Sequence, residues 1–414
     1  MARAKGIPAM KPASSAFDVT EEARLVVVVA MSARSGSSWL VEQLKQSGDF
    51  VHFRGELTTF LRAHGLTPQS PPPVSEALTA PDAARADIAF RRDLSLEVGT
   101  PLDRIDDPER FVQDILRRLP LQWPSLDFSG TEGLVRAAVS EVAVASGPFD
   151  AVSFSAALLG RLAQVLPLDP HFHDFGQEPD AAADLRYPFS HVLESPPFLL
   201  FAPWRRAEAA DLRDKPLIIK SAGDVYRLDF YRALFPHAQL RVLHLRRNPA
   251  ASINGLMNAW LSRKYQSFRV GGLAIAGYSE RAAWRREWWK LDLAPGWQAY
   301  RDAPLERLCE WQWRSAQEAV LDWCAANGQQ PFVARYEEMA ASPEARAELI
   351  AGLCDWLAVP RFVPAPTRLV NASIAPRQGA WRSRAAQIVP LVESAACRAA
   401  AIRLGYGADH RDWI

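Results

Sequence analysis

A chain of 414 residues with 49% hydrophobic and 23% charged side chains has the make-up of a soluble globular protein, and it exceeds the usual size of a single core. Its formal net charge of +1 gives no reason to expect nucleic acid or an anionic membrane as partner, so any anion site must come from local clustering of Arg and Lys. Cys309, Cys324, Cys354 and Cys397 are widely spaced without a CxxC pair, which predicts reduced, mostly buried thiols rather than a disulfide framework or a zinc site.

Residues 1–22 mix Pro, Ser, Ala and charges without a sustained apolar run, which predicts a loose N-terminal extension rather than a signal peptide. No run reaches the length of a membrane-spanning helix, so the expected location is cytoplasmic. The chain is organised around residues 25–48. Leu25-Val26-Val27-Val28-Val29-Ala30-Met31 is unbroken, apolar and rich in β-branched residues, the pattern of a strand buried on both faces in a parallel sheet. Ser32 to Ser38 is a turn of small residues around Arg34 and Gly36, and Trp39 to Lys45 has helical spacing with a stop at Gly48. A strand, a small-residue turn and a helix opening at serines make an anion cradle from backbone N–H groups and the positive helix end. The plainer reading is a strand–turn–helix whose serines only cap the helix.

A second short strand is predicted from Phe50, running into a loop that holds Gly55 and Glu56; loops at strand C-termini surround the ligand crevice of an α/β sheet. Residues 65–215 are less regular, with a proline-rich loop over 68–73 and helical patches near 82–92, 111–119 and 151–165. His171 and His173 form an HxH pair with no clear third ligand, which favours a structural or substrate-facing role over a metal. Lys215 to Ile219 reads as another buried strand ending in Lys220, followed by a helix over 226–235 that Pro236 ends. Leu240 to Arg246 is a further strand; Asn248 then suits an N-cap and Pro249 the first helical position. Arg246 and Arg247 at that junction would face an anion, for which the guanidinium fork is suited.

Ten of the fourteen tryptophans follow residue 280; their spacing favours core packing over a pocket that stacks an aryl or sugar ring. Residues 330–334 predict one more strand leading into Arg335-Tyr336-Glu337-Glu338. Residues 343–358 predict an amphipathic helix with Leu349, Ile350, Leu353, Trp356 and Leu357 inward.

Arg34-Ser35-Gly36-Ser37-Ser38-Trp39 resembles the 5′-phosphosulfate loop of sulfotransferases that use 3′-phosphoadenosine 5′-phosphosulfate (PAPS). Lys220-Ser221-Ala222 is similar to that family's Lys-Thr-His strand end, with Ala222 in place of the histidine base. Arg247-Asn248-Pro249 resembles its 3′-phosphate motif, whose serine, eight residues after the arginine, is Gly255 here; Ser252 and Asn254 are the nearby polar substitutes. Arg335-Tyr336-Glu337-Glu338 resembles the adenine-side segment, and Arg377-Gln378-Gly379 the late loop that closes on the 3′-phosphate. These elements occur in the family's order across residues 25–382. The resemblance implies an α/β, P-loop-like three-layer fold with a central parallel sheet. It also implies a variable, mostly helical acceptor-binding insertion at 57–215 within a domain spanning 23–414.

The same resemblance implies roles. Arg34, Ser35, Gly36, Ser37 and Ser38 would hold the 5′-phosphosulfate, with Lys220 on the moving sulfuryl oxygens. Glu56 would be the general base, and Trp39 and Tyr336 would flank the adenine. Arg247, Ser252, Arg377, Gln378 and Gly379 would take the 3′-phosphate. No metal is expected, 3′,5′-ADP would be the product, and the acceptor would be a hydroxyl on a small molecule, an acyl or polyketide chain on a carrier, or a sugar. A P-loop kinase is the competing class, but it needs GK[ST] and an acidic magnesium ligand. A non-catalytic nucleotide-binding protein would keep the cradle without needing Glu56 and Lys220.

Overall fold

The computed structural model describes residues 17–67, 74–123, 126–143, 147–168, 201–262, 265, 267–365, 378–407 and 409–413. The proline-rich loop at 68–73, His171, His173 and Arg377 lie outside the described residues.

Nine strands are described, β1 (Leu25–Ala30), β2 (Val51–Phe53), β3 (Val98–Pro101), β4 (Trp204–Arg206), β5 (Leu217–Ile219), β6 (Gln239–Arg246), β7 (Ser267–Arg269), β8 (Trp288–Lys290) and β9 (Phe332–Arg335). Seven form one sheet in the order β4-β3-β2-β5-β1-β6-β9, while β7 and β8 pair antiparallel by themselves. The run β2-β5-β1-β6-β9 is parallel throughout; β3 is antiparallel to both β2 and β4. The fold is α/β, a mostly parallel sheet between helical layers.

β1 shows why. Val26, Val28 and Ala30 enter one core with the helix Leu228–Leu234; Val27, Val29 and Met31 enter another on the opposite face, with Leu40, Leu44, Ile350 and Leu353. Side chains alternate across a strand, so only an unbroken apolar run can serve two helical layers at once. Each of the four fully buried valines contributes about 1.5–3 kcal/mol by burial.

The parallel strands expected from the sequence are present. Two short strands, β3 and β4, were not expected; they come from the 57–215 stretch and extend the sheet edge beyond β2. The helices Pro108–Gln122, Glu132–Ala143 and Ala151–Leu162 of the same stretch build a separate apolar core. The late tryptophans are core residues: Trp289, Trp297, Trp311 and Trp313 pack with Trp260 and the C-terminal helices. Trp284 and Trp288 do not share a helix, since Trp284 sits in a 3₁₀ turn and Trp288 in β8. The helix after the β1 turn ends at Leu44 with Lys45 as a right-handed cap, so Gly48 does not terminate it. All four cysteines are free and buried. Among the described residues no single helix is long and apolar enough to cross a membrane.

Candidate functional site

Every strand of the parallel run ends at the same edge of the sheet, and each leads into predicted site residues there. Glu56 follows β2, Lys220 follows β5, the Arg34–Ser38 turn follows β1, Arg247 follows β6 and Tyr336 follows β9. Adjacent strands lie about 4.8 Å apart, so four spacings spread these groups along roughly 19 Å of sheet edge. In open α/β sheets the crevice beyond the strand C-termini is where ligands bind, and here it runs from Tyr336 to Glu56.

The turn after β1 is tightly built. Gly36 is left-handed at φ +92° and caps the helix Ser37–Leu44. A Cβ there would lie 2.5 Å from Cδ2 of Tyr336, so the ring packs directly on the turn and only glycine fits. Arg34 is also left-handed, at φ +69°, a conformation that non-glycine residues adopt at a cost, and its guanidinium lies 4.5 Å from the Tyr265 ring centroid. Ser35 is fully buried and its hydroxyl is 3.0 Å from that of Ser32, which braces the turn from inside. Ser37 and Ser38 form the first turn of the helix, at the positive end of its dipole.

The Lys220 ammonium donates to Ser38 Oγ at 3.1 Å and to Glu56 Oε1 at 2.5 Å. A single cation therefore joins the cradle to the candidate base across β1, β5 and β2. Both side chains are mostly buried, at 15% and 10% exposed. Burial raises the Glu56 pKa above the ordinary carboxylate range, against the opposing pull of Lys220.

On the other flank, Arg247 donates from Nη1 to the Arg34 carbonyl at 2.9 Å and lies 4.4 Å from the Tyr336 ring centroid. Its Nε is buried without a hydrogen-bond partner among the described residues, and burial lowers its pKa. A desolvated guanidinium with a donor to spare is a ready anion ligand. Asn248 caps the helix Pro249–Leu261 as expected, accepting from Ala251 N at 2.8 Å, and Glu337 accepts from both its backbone and side-chain nitrogens.

The remaining candidates have their own surroundings. Ser252 is fully buried and donates its hydroxyl to the Arg247 carbonyl at 3.2 Å, so it supports the arginine from behind. Gly255, at the position of the family's serine, faces the junction itself: a Cβ there would be 3.3 Å from Arg34 Cβ and 3.5 Å from Arg247 Nη1. Arg246 does not join Arg247; it bonds the Leu404 carbonyl and His244, because alternation along β6 points it to the C-terminal helices. Trp39 is half-buried beside the sheet, with the Arg346 guanidinium 4.5 Å from its ring centroid. Gln378 and Gly379 form a turn that opens the 3₁₀ segment Ala380–Arg384. Arg384 ties that segment to Asn254 and Asn258 at 2.7 Å each, so the late loop docks on the Arg247 helix.

Sequence reasoning passed over Tyr265 and the polar residues behind Lys220. The latter had a faint signal, Asp224 and Arg227 at ion-pair spacing after a buried strand end. Among the described residues no group of three or more His, Cys, Asp or Glu could hold a metal.

No protein-family model and no curated protein matches the chain. Its structure is similar to bacterial sulfotransferase domains. With the sulfotransferase domain from the curacin biosynthetic pathway it shares 11% identity over 93% of this chain and 98% of that one, at a TM-score of 0.38. With the sulfotransferase domain of the Synechococcus PCC 7002 olefin synthase the identity is 13% over 84% and 76%, at 0.31. With sulfotransferase STF9 from Mycobacterium avium it is 14% over 82% and 64%, at 0.30.

Proposed function

We propose that this chain is a sulfotransferase that moves the sulfuryl group of PAPS to an acceptor hydroxyl and releases 3′,5′-ADP. The observation that carries the reading is the Lys220 ammonium held between Ser38 of the cradle and Glu56. A nucleotide-binding loop alone has no need of a buried carboxylate–ammonium pair at its edge, whereas transfer to a hydroxyl needs both a base and a cation there.

The donor set fits PAPS. The Arg34–Ser38 turn and the helix end suit the 5′-phosphosulfate, and the unpartnered Nε of Arg247 suits the 3′-phosphate. Gln378 and Gly379 lead into the 3₁₀ segment that Arg384 ties to that arginine's helix, and Tyr336 and Trp39 would present rings at the nucleotide end. PAPS would supply the sulfuryl group, and 3′,5′-ADP would leave with the negative charge that transfer builds on its 5′-phosphate. Arg34, Ser37, Ser38 and the turn's N–H groups stabilise that charge, the kind of preorganised electrostatics that usually supplies the largest catalytic contribution. Lys220 sits where the sulfuryl oxygens pass. Glu56, with its pKa raised by burial, accepts the hydroxyl proton at neutral pH.

The acceptor would approach from beyond β2, where the 57–215 stretch lies. The acceptor hydroxyl would be that of a phenol, a sugar or an aliphatic or carrier-bound alcohol. A cytoplasmic location accords with the reduced cysteines. A kinase would place an acidic magnesium ligand at a strand end near its loop, and β6 ends in Arg246.

The test is thermal unfolding of wild type and Arg34→Ala with 3′,5′-ADP, 5′-ADP or ATP with magnesium. A ligand at 100 times its Kd stabilises by about 2.7 kcal/mol. Stabilisation by 3′,5′-ADP alone, weakened in the variant, is expected. Stabilisation only by ATP with magnesium would move the kinase reading into its place.

A further inference from the structure

Behind Glu56 and Lys220 lies a fully buried ionic cluster that neither ligand binding nor proton transfer uses directly. Arg227, at the start of the helix Leu228–Leu234, is 0% exposed. Its Nε donates to the Glu76 carbonyl at 3.0 Å and its Nη2 to the Glu76 carboxylate. Its Nη1 donates to Thr58 Oγ1 at 3.1 Å and to Asp224 Oδ1 at 3.3 Å. Asp224 also accepts from Ser221 Oγ at 2.9 Å and from the Tyr231 hydroxyl at 2.7 Å. The circle closes between Thr58 and Ser221, whose hydroxyls are 3.3 Å apart.

Thr58 stands two residues after Glu56, and Ser221 directly follows Lys220. One guanidinium thus fixes both segments that deliver the candidate base and the candidate cation. Glu76 extends the grip, since its carboxylate accepts from Leu293 N at 2.8 Å, in the segment after β8. The fit is close: a Cβ on Gly223 would come within 2.3 Å of the Glu76 carboxylate. An apolar cluster of equal volume is often no less stable than buried ions, so a cluster of this kind is better explained by the geometry and field it sets.

We propose that Arg227 is a positioning residue which, with Asp224 and Glu76, holds Glu56 against Lys220 and sets the charge that Glu56 feels. This rests on the sulfotransferase reading for its purpose, though not for its physics. Among the described residues the charges that act on Glu56 include Lys220 at the end of β5, Asp224 in the turn after it, Arg227 at the following helix and Glu76 in the loop over 74–79. Arg227 and Lys220 favour the ionised carboxylate, whereas Asp224 and Glu76 oppose it.

The experiment follows the Glu56 carboxyl by infrared difference spectroscopy across a pH series, with Glu56→Gln as the blank, in wild type, Arg227→Gln, Arg227→Lys and Asp224→Asn. No acceptor is needed. The Glu56 midpoint should move up in Arg227→Gln, move down in Asp224→Asn, and stay near wild type in Arg227→Lys. Asp224→Asn keeps its oxygen toward Ser221 and Tyr231, so it remains informative if Arg227→Gln fails to fold. A Glu56 midpoint unmoved in Asp224→Asn, or moved the same way in both variants, would overturn the proposal. Binding of 3′,5′-ADP, followed by calorimetry on the same proteins, separates the two ideas. Opposite shifts without any 3′,5′-ADP binding would keep the positioning role and remove the sulfotransferase reading; binding with unmoved midpoints would do the reverse.

Discussion

The contact between Gly36 and Tyr336 makes the cradle's geometry measurable without a substrate. Replacing Gly36 with Ala has two separable costs. The backbone at φ +92° is left-handed, which costs an L-residue about 1–2 kcal/mol. The added methyl would also lie 2.5 and 2.8 Å from two Tyr336 ring carbons, and relieving an overpacked contact costs about 1–3 kcal/mol. The ring is not free to retreat without loss, because Arg247 stacks on it at 4.4 Å. Gly36→Ala should therefore destabilise wild type by about 2–5 kcal/mol, but the Tyr336→Ala background by only the backbone cost of about 1–2 kcal/mol. Urea denaturation of the four proteins, compared at matched slopes, gives the coupling directly. An equal cost in both backgrounds would mean that the ring does not press on the turn, and the nucleotide end of the site would have to be redrawn.

Glu56→Gln should lower sulfuryl transfer by about 10²–10⁴-fold, the usual span for losing a general base, while leaving 3′,5′-ADP affinity within a few-fold; single-turnover PAPS assays would check it. Activity should also fall as pH drops through a point above the ordinary carboxylate range, because Glu56 must be ionised and burial raises its pKa. Asp292 is pushed up to about 7, chiefly by burial and then by the Glu76 charge. The folded chain thus keeps a proton there that the unfolded chain sheds above about pH 4. That contribution is fully present below about pH 4 and is lost as pH rises toward 7, on the order of 1 kcal/mol per pH unit. Asp292→Asn does not titrate, so its stability relative to wild type should climb between pH 4 and 7, and a flat difference would refute the assignment. Asp114 accepts from Arg54 and Arg206 at 2.7 Å each, and both it and Arg54 are almost fully buried. Asp114→Ala should cost about 3–5 kcal/mol in denaturant unfolding, since it strands buried guanidinium charge; a loss below about 1 kcal/mol would show that water reaches the pair.

What the sequence makes legible is what is local. The valine run of β1, the small-residue turn behind it and the Asn248-Pro249 helix start each carry their cause within about ten residues, as capping and alternation do. β3 and β4 are hidden by the very residue that lets them pair. Gly99 has low strand propensity, yet a Cβ there would sit 2.0 Å from the Arg205 carbonyl, so the glycine that weakens the prediction permits the close approach. The ionic cluster behind the site is hidden by distance: Arg227 and Glu76 are 151 residues apart, and no periodicity records such a pairing. Gly255 joins the two cases. Against the motif that the sequence resembles it is only a missing serine; in the fold, a Cβ there would press on Arg34 Cβ at 3.3 Å and touch Arg247 Nη1 at 3.5 Å. The glycine therefore marks a close junction between the turn after β1 and the helix that follows β6. On the proposed sulfotransferase reading, 3′-phosphate recognition would then fall to Arg247, whose Nε is buried without a partner among the described residues.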